Sequence, residues 1–239
     1  MDLSRTHESP RTTTAQPRTQ TVAAPRAGVK YAVEAIGTFF LVFTVGAAVG
    51  SRSTLAPLAI GAVLMVMIYA GGHLSGGHFN PAVTLAVLVR RRIGLGDAIA
   101  YWIVQFGAGL LAALLVRTIV DPAELATTVT MTLTGRTLLG AFVGELLFTF
   151  ALCYVVLNVA TSKDHPDNSF YGLAIGFTVV AGAVAVGTIS GGAFNPAVTI
   201  GAAAMHMFAW QTLWVYPVAQ VIAGAAAGIT FRTLNPNDK

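Results

Sequence analysis

Two nearly identical decapeptides lie far apart in the chain: SGGHFNPAVT at residues 75–84 and SGGAFNPAVT at residues 190–199. Nine of their ten positions are identical, and the second begins 115 residues after the first. In each, glycines precede Asn-Pro and an apolar run follows. Asn favours the N-cap of a helix, and Pro favours its first turn. Each decapeptide therefore predicts a glycine-rich loop that leads into a short helix.

Composition places these loops in a membrane. The 239 residues are 55% hydrophobic and 10% charged, against about 25% charged in soluble domains. Residues 53–89 and 168–231 contain no Asp, Glu, Lys or Arg, and each stretch exceeds the about 20 residues of one membrane span. The formal net charge is +4. Its basic residues lie in the N-terminal tail and at segment ends, which favours a lipid bilayer over nucleic acid as partner.

Eight apolar segments follow one another along the chain. Six are long, at residues 29–50, 57–74, 98–119, 138–160, 169–188 and 210–231, and two short ones, 80–89 and 195–206, begin at the Asn-Pro pairs. At about 1.5 Å per residue a short segment covers roughly half of a bilayer core. We interpret residues 1–27 as a disordered tail, 28–232 as one membrane domain and 233–239 as a short C-terminal tail.

The repeat extends beyond the decapeptides. Tyr101, Gln105 and Gly109 recur at the same offset as Tyr216, Gln220 and Gly224. Each half, about 29–119 and 138–232, contains three spans and one half-helix. An odd number of spans makes the halves enter the membrane from opposite sides, as an inverted repeat. The predicted fold class is an all-α membrane protein with six transmembrane helices and two re-entrant half-helices whose N-termini meet near the midplane.

Basic residues predict the orientation. With six spans, eleven Lys and Arg residues fall on the side of both termini, and only Arg52, Arg117 and Arg136 fall on the other. The positive-inside rule then places both termini in the cytoplasm, and we expect the cell membrane as the location.

The meeting point of the half-helices predicts a water-filled path. Non-helical backbone at membrane depth is tolerated only where protein or a water-filled cavity satisfies it. Both half-helix N-termini direct partial positive charge at the junction, and Asn80 and Asn195 can each offer an amide donor. A water there accepts from the asparagines while its hydrogens point away along the pore, which interrupts proton transfer and repels cations.

These features identify a resemblance to the aquaporin, or major intrinsic protein, family over residues 29–232. It rests on the paired boxes Asn80-Pro81-Ala82 and Asn195-Pro196-Ala197. The resemblance implies a passive channel for water and small uncharged solutes, with one pore in each protomer of a homotetramer. It implies no enzymatic activity and no cofactor. The five histidines show no metal-ligand spacing, and no nucleophile–base or phosphate-binding motif is present.

Further residues match the family pattern. Glu34 and Glu145 resemble its buried glutamates, which support the re-entrant loops; the alternative is that they extend to a helix end. Gln105 and Gln220 resemble its helix-packing amides. His78 resembles a pore-lining histidine before the first NPA box, and its alternative role is a structural hydrogen bond within the loop.

The selectivity filter departs from the family. Counting from Asn80 and Asn195 puts its four positions at Ile60, Ala183, Gly192 and Val198. The family has arginine at the last position, and strict water channels usually have histidine where Ala183 stands. Loss of the arginine removes a fixed cation, several donors and bulk. We therefore expect a wide, apolar constriction that admits glycerol, urea or metalloid hydroxides.

Three alternative functions are also compatible with the sequence. Arg117 or Arg136 could refill the filter and give a water-selective channel. A coupled secondary transporter also uses inverted repeats and broken helices, but residues 168–231 offer no carboxylate for ion coupling. A membrane protein that has lost transport would have no reason to keep both NPA boxes. Cys153 is far in sequence from the filter, so we expect weak inhibition by mercurials.

Overall fold

The computed structural model describes residues 25–120 and 130–238, which contain six helices of membrane length and two short helices. The long helices are α1 (Ala27–Gly50), α2 (Ala56–Ser75), α4 (Leu95–Ile119), α5 (Gly135–Thr161), α6 (Tyr171–Ser190) and α8 (Val215–Leu234), and the short ones are α3 (Pro81–Val89) and α7 (Pro196–Ala204). The predicted fold class is confirmed. The predicted disordered tail, residues 1–27, lies almost entirely outside the described residues.

Packing follows the two halves of the sequence. Helix α1 packs against α2 and α4, and α5 packs in the same way against α6 and α8. Each half-helix packs against the last long helix of the other half: α3 against α8, and α7 against α4. The halves join where α2 crosses α6. A Cβ on Gly61 or on Gly176 would lie 2.5 Å from the carbonyl oxygen of the other glycine, so this crossing requires glycine on both helices.

The loop before each half-helix explains the repeated glycines. Helices α2 and α6 end at Gly76 and Gly191, whose φ angles of 92° and 89° lie in the left-handed region that favours glycine. Phe79 and Phe194 also have a positive φ, 48° in both cases. For a residue with a Cβ this costs about 1–2 kcal/mol, so both loops need external support.

The sixth apolar segment, predicted at residues 210–231, contains two elements. It begins with a short 3₁₀ turn at Trp210–Thr212, and α8 follows from Val215. Pro217 lies in the first turn of α8. Its missing N–H costs nothing there, because the carbonyl four residues earlier lies before the start of the helix. Apolar composition continues through the turn, and hydropathy alone therefore could not locate the start of the helix.

Candidate pore

The two half-helices meet through their asparagines. Nδ2 of Asn80 donates to the carbonyl of Phe194 at 2.8 Å, and Nδ2 of Asn195 donates to the carbonyl of Phe79 at 2.9 Å. The side-chain oxygen of each asparagine caps its own half-helix by accepting two backbone N–H groups. Each amide nitrogen carries two hydrogens, so one remains after the contact across the junction.

Two buried glutamates hold the loops. Glu34 accepts from Ser75 Oγ at 2.8 Å and from the backbone N–H groups of His78 and Phe79 at 2.9 and 2.7 Å. Both Glu34 and its counterpart Glu145 have 0% exposure. Neither carboxylate extends to a helix end. Each is buried inside the helix bundle and hydrogen-bonded to the loop of its own half.

Glu145 repeats this arrangement in the second half. It accepts from Ser190 Oγ at 2.8 Å and from the N–H groups of Ala193 and Phe194 at 2.9 and 2.8 Å. The N–H that bonds to the glutamate belongs, in both halves, to the phenylalanine with positive φ. The carboxylates therefore stabilise the two strained backbone positions next to the junction.

The two glutamines have structural roles that include hydrogen bonds to the glutamates as well as helix packing. Gln105 Nε2 donates to Glu34 Oε2 at 2.9 Å and to Thr84 Oγ1 at 3.1 Å. Gln220 Nε2 donates to Glu145 Oε2 at 2.8 Å. Each glutamine thus supplies the fourth hydrogen bond to a loop-supporting carboxylate. The shared offset of 115 residues marked the glutamines as a pair but carried no information about this partner.

His78 lies at one side of the junction. It is 7% exposed, and its Nδ1 lies 3.0 Å from Thr84 Oγ1 in the first half-helix. It also lines a cavity of about 510 Å³ that opens near the terminus-bearing ends of the helices. Lys30, Arg92 and Asp97 belong to the same lining. His78 therefore makes a structural hydrogen bond and also lies on a cavity wall, and its pore-lining role stays a prediction.

A second cavity, of about 350 Å³, lies on the other side of the junction. Ile60, Ala183, Gly192 and Val198 all line it, together with Asn195. The structure thus brings the four predicted filter positions to one cavity. The described residues of its lining include no Asp, Glu, Lys, Arg or His. One cavity is consequently polar and the other apolar, although the two halves share a repeat.

Sequence patterns did not predict a further part of this wall. Met131, Met207 and Phe208 line the apolar cavity. Met131 forms a two-residue parallel bridge with the segment after α7: its N–H donates to Met207 O at 2.9 Å, and its carbonyl accepts from Ala209 N at 3.2 Å. Backbone pairing thereby fixes a loop residue, Met131, at the wall of the apolar cavity.

Neither arginine proposed to refill the filter lines the apolar cavity. Arg117 Nη1 donates to Ala204 O at 3.3 Å, at the end of α7. Arg136 lies exposed in the first turn of α5. Cys153 is fully buried in α5 and likewise does not belong to the described lining.

Six membrane-length helices with two half-helices meeting between two cavities define a membrane channel. The family model described as Major intrinsic protein matches residues 30–231. The chain is 39% identical to the "Glycerol uptake facilitator protein-like 6" of Lactiplantibacillus plantarum, over 87% of this chain and 99% of that protein. It is 34% identical to Nodulin-26 of Glycine max, over 88% of this chain and 79% of that protein.

A solved structure shares the fold. The aquaglyceroporin from Plasmodium falciparum aligns with a TM-score of 0.74 at 20% identity, over 88% of this chain and 98% of that chain. The chain belongs to the major intrinsic protein family. It is an integral membrane protein, and its family consists of passive channels for water and small solutes rather than enzymes.

Proposed function

We propose that the chain conducts small uncharged solutes, such as glycerol, urea or metalloid hydroxides, in addition to water. The observation that carries this proposal is the apolar cavity at Ile60, Ala183, Gly192 and Val198, whose described lining bears no charged side chain. A narrow polar ring that replaces lost hydration suits strict water selection. An apolar wall with alanine and glycine on two sides leaves room for the carbon skeleton of a polyol.

We propose further that the junction excludes protons and cations. The N-termini of α3 and α7 direct their positive ends towards the asparagines. The amide hydrogen that Asn80 and Asn195 each keep is available to a passing water or hydroxyl oxygen. An oxygen that accepts from both sides keeps its own hydrogens along the pore axis, and proton transfer through the junction is interrupted.

The hydrogen bonding of Glu34 and Glu145 supports passive conduction over coupled transport. Each carboxylate is fully buried and accepts four hydrogen bonds from loop and helix donors. A carboxylate that couples transport to an ion has to exchange its partners in each cycle. The carboxylates of Glu34 and Glu145 instead bind donors of the re-entrant loops and of a neighbouring helix.

Light scattering from proteoliposomes tests the solute range. Vesicles with the purified chain are subjected to osmotic steps with sucrose, glycerol, urea and ribitol, and empty vesicles serve as the control. We expect rapid glycerol and urea entry that rises linearly with concentration, and no sucrose entry. Water permeability without glycerol or urea entry would contradict the apolar filter. Rates that saturate, or that need a proton gradient, would contradict a channel.

We also propose that both termini face the cytoplasm of the cell membrane and that four protomers assemble. The excess of basic residues at the terminus-bearing side supports the orientation. Single cysteines placed at Arg26 and at Arg136 in a Cys153→Ala background test it. An impermeant maleimide applied to intact cells should label the second and spare the first. Light scattering with chromatography gives the subunit number, for which we expect four.

A further inference from the structure

A basic groove lies apart from the pore, at the end of the bundle where α3 stops and α8 ends. Its volume is about 440 Å³. The lining includes Arg90, Arg91, Ile229, Arg232, Thr233 and Asp238. These residues belong to neither of the two cavities beside the NPA junction. The groove is therefore not part of the conduction path.

The groove carries uncompensated positive charge. Among the described residues of the lining, the acidic side chain is that of Asp238. Its carboxylate accepts from Arg90 Nη2 at 2.7 Å and from Arg92 Nη2 at 3.3 Å. The side chains of Arg91 and Arg232 are exposed, and within the described residues they form no hydrogen bond or ion pair. Asp238 thus neutralises the buried arginine, and two cations remain for a ligand.

Arg90 supplies a second, independent observation. Its side chain is 2% exposed and lies 4.4 Å from the ring centroid of Phe231. One nitrogen serves Asp238 and the carbonyl of Thr161, but the buried Nε has no partner in the described structure. A buried N–H without an acceptor is costly. The guanidinium of Arg90 therefore keeps one unsatisfied donor beside the groove that this residue lines.

An apolar stripe on α8 leads to these cations. Ile229, Ile222 and Val218 lie on one face of the helix and are 58%, 49% and 43% exposed. Arg232 follows Ile229 by three residues and therefore shares this face. Basic pockets at the ends of membrane helices bind anionic lipid headgroups. An apolar stripe that ends at cations matches a lipid, whose acyl chains end at a negatively charged phosphate.

We propose that this groove binds the phosphodiester headgroup of an anionic lipid from the adjacent leaflet. Arg91 and Arg232 compensate the phosphate charge, and the acyl chains lie along Ile229 and Ile222. Inorganic phosphate offers the same anionic oxygens but has nothing to cover the apolar stripe. An anionic lipid matches both the cations and the apolar stripe.

Titration of the full-length protein in a nonionic detergent tests the proposal. Soluble short-chain phosphatidylglycerol is the probe, short-chain phosphatidylcholine and inorganic phosphate are run in parallel, and the melting temperature and native mass spectrometry are the readouts. We expect phosphatidylglycerol to bind and to raise the melting temperature. The double variant Arg91→Gln/Arg232→Gln should bind it about 25-fold more weakly, at about fivefold for each arginine.

Two further variants separate the site from general charge. Arg26→Gln/Arg136→Gln removes the same charge at exposed positions outside the groove and should bind as the wild type does. Arg91→Lys/Arg232→Lys retains the charge and should retain most of the affinity. Equal weakening in the Arg26/Arg136 variant, or equal binding of phosphatidylcholine, would overturn the proposal. Inorganic phosphate that stabilises the protein as much as the lipid would show a free-anion site and would contradict the lipid assignment.

Discussion

Asn80 and Asn195 each bind the loop of the other half, so the two copies of the decapeptide hold one another at the junction. Each amide nitrogen donates to the carbonyl that precedes the opposite asparagine, at 2.8 and 2.9 Å. The inverted repeat is therefore a structural unit at this point: neither loop has its observed hydrogen bonding without the other.

Replacing Asn195 with Asp removes the donor to Phe79 and keeps the oxygen that caps α7. We expect a loss of stability of about 1–3 kcal/mol, because the buried carbonyl of Phe79 loses its partner. The new negative charge at two positive helix ends should also admit cations. Thermal unfolding and a pH-sensitive dye inside proteoliposomes measure both effects. The control Asn237→Asp, at an exposed position, should change neither quantity. An Asn195→Asp protein that is as stable as the wild type and admits no protons would contradict this role of Asn195.

Replacing Glu145 with Gln removes a carboxylate that accepts four hydrogen bonds. The amide keeps one acceptor oxygen and places an NH₂ group against loop N–H donors, so at least one buried N–H is left unpaired at about 1–3 kcal/mol. We expect a lower melting temperature and a large fall in water permeability, since Phe194 loses the support of its strained backbone. Asp164→Asn, at an exposed carboxylate, is the control. Unchanged permeability of Glu145→Gln would show that the loop keeps its conformation without the Glu145 carboxylate.

Asp238 makes stability depend on pH at the terminus-bearing end. Burial raises its pKa, but hydrogen bonds from the Lys163 N–H, Ser162 and Arg90 outweigh burial, so the pKa of Asp238 is lowered. A lowered folded pKa gives stability that is present above the unfolded value of about 3.9 and lost as pH falls through the folded value. Asp238→Asn should lower the melting temperature at neutral pH, by leaving Arg90 buried without its counter-charge, and by much less under acid.

The control for this prediction is Asp167→Asn, at an exposed carboxylate, which should shift the melting temperature little at any pH. A melting temperature of Asp238→Asn that stays below the wild type by the same amount down to pH 3 would contradict the role of the Asp238 charge.

Mercurial reagents test which side chains face the conduction path. Val198 lines the apolar cavity, whereas Cys153 is fully buried elsewhere in α5. We expect the wild type to resist mercury and Val198→Cys to lose most of its water permeability until a thiol is added. Val221→Cys, on the exposed face of α8, is the matched control. Strong reversible inhibition of the wild type, or none of Val198→Cys, would show that the filter positions are misassigned.

Local patterns predicted most of the fold. The apolar runs predicted all six spans. Asn-Pro after paired glycines predicted both half-helices, because adjacent residues specify helix capping and left-handed backbone. The sixth apolar segment did not show where α8 begins, since the apolar composition continues through Trp210–Thr212.

Contacts between distant residues could not be predicted in the same way. Nothing near Met131 in the sequence shows that it pairs with residues 207–209, and nothing near Asp238 shows that it binds Arg90 across 148 positions. The partner of Gln105 was also missed, although its repeat with Gln220 was visible. In each case the chemistry is that of an ordinary residue, and only the fold supplies the neighbour.

We expect the apolar filter at Val198 to admit solutes larger than water. Proteoliposome light scattering on Val198→Arg examines this filter, with Val198→Leu as a control that adds bulk without charge or donors. Val198→Arg should lose most glycerol and urea permeability while water still passes, and Val198→Leu should conduct all three. Unchanged glycerol entry through a folded Val198→Arg protein would contradict it.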